Sequence, residues 1–431
     1  PPPPPPPPII MPPPPPRSTL RRSRRQRQMC IRDSGYNVVL NYQNNYQFYD
    51  QAQTNNYLKD PDRSENELFR DESRIGTVGR QVVLWSALAG GAMKYDNHSL
   101  SLSLLRSQSG ESTASSRVNQ NYNQTGATLL EDILTYTQRS VTSALLKGNH
   151  KFNDIKLDWR GAGNWSRVYD PDFRITAISV SSGDTSLNVG DGAGINRFYR
   201  DLNEFNGSFK ADLTIPYAVK SKLKFGGVAN YRDRDFEIEN YLFRQRGVGQ
   251  VSSDPNWFFR DENIWTPEGR QGTYVIGNYE PTNTYYSTQW IFAGYAMTEL
   301  YASERFRTVF GLRAEQSSMY YTGQNNDGSV VYDNQQTLNE FNLLPSVNLI
   351  LSATENMNVR GSYNRTLARP SFKEKSIAQI FDPISRRTFI GNIDLQQTNI
   401  DNVDLRWEYY MKPGELLSVS GFYKSFENHI E

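Results

Sequence analysis

Apolar and polar residues alternate with a period of two along much of this chain. Between Val403 and Tyr409, the residues Val, Leu, Trp and Tyr alternate with Asp, Arg and Glu. Residues 155–166, 205–215 and 357–364 follow the same rule. Successive side chains of a β-strand point to opposite faces, so these stretches predict strands with one apolar and one polar face. Helical spacing fits none of them.

The predicted strands are long, and their connections alternate between short and long. Several strands alternate for about 10 residues or more, whereas strands in globular proteins average about 5–6. A tilted strand needs about 9–11 residues to cross a bilayer. About 13 strands are predicted by this pattern, near residues 36–43, 80–95, 99–106, 140–150, 155–166, 204–215, 222–236, 287–302, 305–321, 341–351, 357–366, 403–411 and 415–428. Long links are predicted at 44–79, 107–139, 167–203, 237–286, 322–340 and 367–402.

This arrangement predicts an all-β fold, a transmembrane antiparallel up-and-down β-barrel with lipid outside and water inside. Inside hydrocarbon each unpaired backbone group costs several kcal/mol, so the strands must belong to a closed sheet. A β-propeller would repeat a blade motif every ~40–50 residues, and the sequence contains no such repeat. A β-sandwich would use shorter strands than those predicted here. Aromatic residues near strand ends together predict interfacial girdles, with ordinary β packing as the alternative for each residue alone. They are Tyr320, Tyr321, Tyr363, Trp407, Tyr409 and Tyr410.

Composition separates residues 1–34 from the rest of the chain. These residues hold 13 of the 23 prolines, seven arginines and no aromatic residue. The other 397 residues carry 40 basic and 45 acidic side chains, so no excess of Lys and Arg supports a nucleic-acid partner. The only cysteine, Cys30, lies in the first segment, so neither disulfides nor thiolate metal sites are expected in residues 35–431.

Residues 1–34 are therefore predicted to be a disordered Pro/Arg-rich head, and residues 35–431 a partial barrel domain. Residues 25–34 resemble translated sequencing-adapter DNA, so the head is interpreted as an artefact. The alternative is a proline-motif ligand or an anchor for an anionic surface.

Motifs for catalysis are missing from the sequence. The histidines His98, His150 and His429 are scattered and lack the His-Glu-x-x-His spacing of zinc hydrolases. The sequence contains neither a Gly-x-Ser-x-Gly elbow nor a phosphate-binding Gly-x4-Gly-Lys loop. We therefore expect no enzyme activity, no catalytic, cofactor-binding or metal-binding residues and no cofactor, while the ligand-binding residues stay unassigned.

Two groups of residues allow both a ligand-binding and a packing interpretation. One comprises charges on the polar face, namely Arg160, Lys210, Arg360, Arg406 and Glu408. They line a ligand path or pair with one another, and pairing is favoured because exposed ion pairs are common. The other comprises the aromatic residues of the link 237–286, namely Trp257, Phe258, Phe259 and Trp265. They bind ligand or pack within the loop, and packing is favoured.

The C-terminal part of the chain resembles a known family. Residues 341–346 read Phe-Asn-Leu-Leu-Pro-Ser, and residues 364–372 read Asn-Arg-Thr-Leu-Ala-Arg-Pro-Ser-Phe. Together with residues 404–410 and 413–424, these motifs resemble the barrel of TonB-dependent outer-membrane receptors in Bacteroidota-type bacteria. The resemblance extends over most of 35–431, is densest after residue 340, and is most specific at Arg-Pro-Ser-Phe.

The resemblance implies a receptor in the cell outer membrane that imports a large scarce nutrient by gated, energy-coupled passage. A metal chelate, a vitamin or an oligosaccharide would be such a nutrient. The implied partners are outer-membrane lipid, the ligand, TonB through an N-terminal plug, and a surface lipoprotein, without nucleic acid. The family barrel has about 22 strands around its plug, so about 13 strands and no plug before Gly35 lead us to expect a fragment. The alternative is a passive porin-like or adhesive barrel without TonB coupling; a soluble β enzyme is more remote.

Overall fold

The computed structural model describes residues 33–59, 68–121, 128–181, 183–187, 194–278, 280–382 and 387–430. The first strand begins at Asp33, two residues before the predicted start of the barrel domain. The rest of the predicted head lies outside the described residues, so its assignment stays a prediction.

Seventeen β-strands dominate the described part of the chain. They are β1 Asp33–Lys59, β2 Leu68–Tyr95, β3 His98–Asn121, β4 Thr128–Phe152, β5 Ile155–Ser181, β6 Asp184–Leu187, β7 Ile195–Pro216, β8 Lys222–Arg246, β9 Gly272–Asn278, β10 Thr284–Tyr301, β11 Phe306–Gln324, β12 Val331–Thr354, β13 Met357–Ala368, β14 Gln379–Asp382, β15 Arg387–Ile390, β16 Thr398–Lys412 and β17 Glu415–Glu427. Single 3-10 turns lie at Trp257–Phe259, Asp261–Asn263 and Pro281–Asn283. No helix in the described ranges combines the length and the hydropathy needed to cross a membrane.

Thirteen of these strands form one antiparallel sheet in chain order. The order is β1-β2-β3-β4-β5-β7-β8-β10-β11-β12-β13-β16-β17, with β6 paired to β5 and β9 paired to β8. Strands β14 and β15 form a separate hairpin. Each of the thirteen predicted strands corresponds to one strand of this path, so the all-β, up-and-down antiparallel barrel architecture is confirmed.

Short turns all lie at one rim of the sheet, as predicted. They include the turns at residues 96–97, 153–154 and 413–414. Asp96, Asn153 and Gly414 have φ values of 49°, 52° and 90°, the left-handed conformation that Asn, Asp and Gly tolerate best in tight turns. The long connections lie at the opposite rim, which we call the long-loop rim.

Strands β1 to β5, β7 and β8 of the main sheet are much longer than predicted, whereas β10, β13 and β17 are close to their predicted lengths. Strand β3 ends at Asn121 instead of residue 106, and β2 begins at Leu68 instead of residue 80. The sequence alternation stops where a strand leaves the bilayer, because water then contacts both faces and neither needs to be apolar. The predicted links 44–79 and 107–139 are consequently mostly strand.

The two faces of the sheet differ as the alternation predicts. Large apolar side chains project from one face, where Leu405 is 62% and Phe209 51% exposed. An apolar surface of this extent requires cover, which lipid provides. Along the alternating segments, carboxylates such as Glu408, which is only 5% exposed, lie on the opposite face. We call the apolar face the outer face and the charged face the inner wall.

The predicted aromatic girdle is wrong at two of its six positions. Tyr321 is 2% exposed within an apolar cluster of the inner wall, and Tyr410 donates its hydroxyl to the inner-wall carboxylate of Glu408 at 3.1 Å. Adjacent residues of a strand face opposite sides, so only one of Tyr320 and Tyr321, and one of Tyr409 and Tyr410, can reach lipid. The other four predicted residues follow the alternation of the outer face.

Candidate functional site on the inner wall

Ion pairs on the inner wall place one carboxylate between two cations from neighbouring positions. Glu408 on β16 accepts from Arg360 on β13 at 3.0 Å and from Arg406 at 2.8 Å. Arg360 and Arg406 are direct cross-strand partners in the register, so two like charges meet at the same height. The carboxylate between them neutralises a repulsion that would otherwise destabilise the pair.

Lys210 is held in a similar network on β7. Its Nζ lies 3.1 Å from the carboxylate of Asp212, which also contacts Lys224 at 3.3 Å and accepts a hydrogen bond from Tyr295. Arg160 is exposed and forms no ion pair with any described residue. The favoured pairing interpretation is therefore confirmed for four of the five predicted charges.

The same arrangement recurs around the wall. It is found at Glu204 with Arg232 and Arg234, at Glu299 with Lys222 and Arg307, and at Glu315 with Arg313 and Arg369. Each group carries two cations and one anion. The described inner wall therefore presents local positive charge at several heights.

The connection between β13 and β16 folds back onto this wall. We call its described residues, 369–382 and 387–397, the inner loop. The guanidinium of Arg369 contacts the carboxylate of Glu315. Phe372 is 1% exposed, and the guanidinium carbon of Arg232 lies 4.9 Å from the centroid of its ring. A cation over an aromatic face is attracted by the ring quadrupole, so the two contacts hold the start of the loop.

An apolar cluster completes this docking. It consists of Phe236, Tyr285, Met319, Tyr321, Leu338, Phe372 and Ala378. Five of these side chains come from strands β8, β10, β11 and β12, and two from the inner loop. Their burial makes the loop part of the wall rather than a free connection.

A buried lysine ties the inner loop to itself. Lys375 is 2% exposed and donates its Nζ to the carbonyl oxygens of Ile393 at 2.5 Å and Leu395 at 2.7 Å. Burial lowers the pKa of the Lys375 ammonium, because the charged form loses hydration. Gly391 passes so close that a Cβ would lie 2.3 Å from the carbonyl oxygen of Ser376, so only glycine fits.

A cavity of about 590 Å³ lies between the inner loop and the wall formed by β2 to β8. Its cations are Arg80, Arg117, Arg139, Arg200 and Lys373, and its carboxylates are Glu111 and Asp170. Its apolar lining is Ile133, Phe173, Phe198, Ile238, Ile380 and Phe389. The cavity therefore combines an excess of positive charge with aromatic and aliphatic surface.

Three of the five cations are already paired. Glu111 accepts from Arg80 at 2.7 Å and from Arg139 at 3.2 Å, and Asp170 lies 2.5 Å from Arg200. These contacts fix the positions of both carboxylates within the lining. The excess positive charge of the cavity therefore includes the two remaining cations, Arg117 and Lys373.

Neither Arg117 nor Lys373 forms an ion pair with a described residue, although the cross-strand neighbour of Arg117 is Glu131, which pairs with Arg74. The Nε of Arg117 is buried and has no hydrogen-bond partner in the described ranges. The Nζ of Lys373 lies 4.0 Å above the ring of Phe389. Buried polar groups are normally hydrogen-bonded, so an unpartnered guanidinium in a cavity indicates a place for an acceptor.

Three of the four aromatic residues predicted in the link 237–286 pack within the loop, as the favoured interpretation expects; Trp265 lies outside their cluster. Phe258 is fully buried against Ile178, Ile195 and Val251. We call this cluster, with Trp257 and Phe259 packed against it, the aromatic lobe. Phe259 makes an edge-to-face contact with Phe243, with ring centroids 5.1 Å apart. These rings stabilise the loop and are not free to form an exposed ligand-binding platform.

Sequence patterns did not identify the cavity residues. Arg117 lies in the predicted link 107–139, and Lys373 lies in the predicted link 367–402. Their proximity depends on the register of six strands and on the docking of the inner loop. Among described residues no group of three or more His, Cys, Asp or Glu could hold a metal ion.

The family model described as "TonB dependent receptor-like, beta-barrel" matches residues 31–431. The chain belongs to this family. Membership and the exposed apolar outer face together place this TonB-dependent receptor barrel in the cell outer membrane. Receptors of this family are transporters rather than enzymes.

Solved receptors are similar to this TonB-dependent receptor barrel at low identity and with TM-scores below 0.5. The ferric yersiniabactin uptake receptor FyuA from Yersinia pestis is 13% identical with a TM-score of 0.47, over 92% of this chain and 55% of its own. The ferric-catecholate import receptor Fiu from E. coli K12 is 14% identical with a TM-score of 0.47, over 93% and 59%. The siderophore receptor PiuA from Acinetobacter baumannii is 10% identical with a TM-score of 0.41, over 88% and 56%. The chain thus spans somewhat more than half the length of these receptors. The comparison with curated proteins finds no match.

Proposed function

We propose that this chain forms part of the wall of a TonB-coupled outer-membrane importer whose large, scarce ligand carries negative charge. The observation that supports this proposal is the inner-wall cavity, in which Arg117 and Lys373 form no ion pair with a described residue. An acidic metal chelate or an acidic oligosaccharide fits this chemistry better than a neutral nutrient.

The charge balance of the cavity supports an anionic ligand. Five cations and two carboxylates line the cavity, and the Nε of the half-buried Arg117 is shielded from water without gaining an acceptor. Burying a charged group is costly unless it is paired, so an incoming anion offsets that cost. The ring of Phe389 and the side chain of Ile380 offer apolar contacts to the rest of a large ligand.

The inner loop supports gated passage. It supplies Lys373 and Phe389 to the cavity and is held to the wall by Arg369 and Phe372. A ligand in the cavity therefore touches both the fixed wall and the loop that covers it. Movement of the loop would change the size of the path without unfolding the sheet.

The remaining partners are proposed from family membership. TonB would bind through an N-terminal plug, and a surface lipoprotein would act on the outer side. Lipid would cover the outer face, where Leu405 and Phe209 are exposed.

The test is uptake of acidic and neutral labelled ligands by cells that produce this receptor. Arg117→Ser should weaken binding of the acidic ligand by roughly 10- to 150-fold, because a hydrogen bond to a charged group contributes about 1.5–3 kcal/mol. The matched control is Arg167→Ser, since Arg167 lies on the outer face and pairs with Asp201 at 2.5 Å. Import should also stop when TonB is deleted. Uptake that persists without TonB and is unchanged by Arg117→Ser would support the passive porin-like alternative instead.

A further inference from the structure

Two histidines that are remote in the sequence are direct neighbours in the sheet. His98 begins β3, and His150 lies near the end of β4 as its cross-strand partner. Their Nδ1 atoms lie 3.2 Å apart, although the residues are separated by 52 positions. The proposed uptake function does not use them.

The pair lies where an aqueous ion can reach it. His98 shares the outer face with Leu100 and Leu102, and it directly follows the short turn at residues 96–97. Both imidazoles are half-buried. They therefore lie at the short-turn rim of the outer face, next to water.

We propose that His98 and His150 bind a divalent transition-metal ion, such as Zn²⁺, Ni²⁺ or Cu²⁺, that crosslinks β3 to β4 at this rim. Imidazole nitrogens are good ligands for these metals. Two metal–nitrogen bonds of about 2.0–2.1 Å at a tetrahedral angle place the nitrogens roughly 3.3 Å apart. The Nδ1 separation of 3.2 Å matches that value, so one ion bridges both rings with small rotations. Water completes the coordination shell.

A tryptophan holds one ring in place and competes with the metal. The indole Nε1 of Trp159 donates to Nε2 of His150 at 3.0 Å. Gly148 permits this approach, because a Cβ there would lie 2.3 Å from the same indole nitrogen. Since indole is only a donor, the proton of neutral His150 lies on Nδ1 and is shared with His98.

Metal binding therefore moves one proton. The ion replaces the proton between the two Nδ1 atoms, that proton transfers to Nε2 of His150, and the Trp159 indole loses its acceptor. Two consequences distinguish this site from chance binding at surface carboxylates. The environment of Trp159 changes on metal binding, and a variant without the indole N–H binds the metal more tightly.

The experiment is Cu²⁺ titration of the full chain in detergent micelles, read by electron paramagnetic resonance and by calorimetry. A Cys30→Ser background removes the only thiol, and the chain has only three histidines. We expect nitrogen hyperfine structure from two imidazoles, a loss of affinity of at least tenfold in His98→Ala and in His150→Ala, and no change in the matched control His429→Ala.

Trp159→Phe provides the second measurement. It keeps a ring over Gly148 but removes the competing donor, so we expect Cu²⁺ affinity to rise several-fold. Equal affinity in all three histidine variants, or no binding by the parent chain, would overturn the proposal. A spectrum with oxygen ligands only would do the same. Circular dichroism of each variant confirms that the sheet is retained.

Discussion

The guanidinium of Arg369 donates to the carboxylate of Glu315, 54 positions earlier in the chain. Arg369 begins the Arg-Pro-Ser-Phe run, and Glu315 lies on β11 with 5% exposure. The run thus has a structural role, because its first residue fixes the inner loop to the sheet. Phe372, its last residue, enters the apolar cluster of the wall.

Replacing Arg369 with Ala should release the inner loop without disrupting the sheet. Glu315 keeps Arg313, so the loss is the contribution of one charged hydrogen bond, about 1–3 kcal/mol. Hydrogen exchange measured by mass spectrometry should become faster in the inner loop. The matched control is Arg365→Ala, because Arg365 pairs with the exposed Asp401 and such pairs contribute about 0–1 kcal/mol. Equal exchange in the two variants would contradict the docking role.

The period-two pattern identified all thirteen strands of the main sheet, because hydrocarbon and water impose opposite demands on adjacent residues. It failed where that contrast ends. Residues 107–121 carry Ser, Gln, Thr and Asn on both faces, yet they continue β3. Strands β14 and β15 were missed for a related reason, since four residues are too few to show a period.

The site was less accessible to sequence analysis than the fold. Pairing of Glu408 with Arg360 followed from alternation, because both lie on the polar face of adjacent strands. The cavity did not, since Arg117 and Lys373 meet only after the inner loop has docked. The contact between His98 and His150 depends on register across a long connection, which no local pattern encodes.

Phe258→Ala should destabilise the aromatic lobe strongly. The side chain is fully buried, and truncation of a buried Phe costs about 3–5 kcal/mol through lost burial and the cavity left behind. Amide exchange at Ile195 and Val251 should rise accordingly. Trp265→Ala is the control, since Trp265 is half-buried and lies outside the cluster. A larger effect at Trp265 would show that the loop packs differently.

The stability of the inner loop should depend on pH in the alkaline range. Burial lowers the pKa of Lys375 below its ordinary value of 10.5, so the unfolded loop binds more protons between the folded pKa and 10.5. Stability should therefore rise as pH increases through that window and level off above it. Urea unfolding followed by limited proteolysis of the loop measures this trend.

Two variants separate Lys375 from its neighbour in this pH experiment. Lys375→Met should abolish the pH dependence, because the buried titrating group is gone. Lys373→Met should retain it, since Lys375 and its bonds to Ile393 and Leu395 are unchanged. A pH dependence that survives Lys375→Met would assign the effect to another group.

The assignment of the two faces can be tested at adjacent residues of β16. Leu405 is 62% exposed on the outer face, whereas Arg406 on the inner wall lies 2.8 Å from Glu408. Leu405→Arg should cost about 2–4 kcal/mol, because it places a charge in hydrocarbon near the bilayer midplane. Arg406→Ser should cost much less, since water hydrates the wall and Glu408 keeps Arg360 at 3.0 Å. Urea unfolding in lipid vesicles gives both values, and similar losses at the two positions would mean that lipid does not cover the Leu405 face.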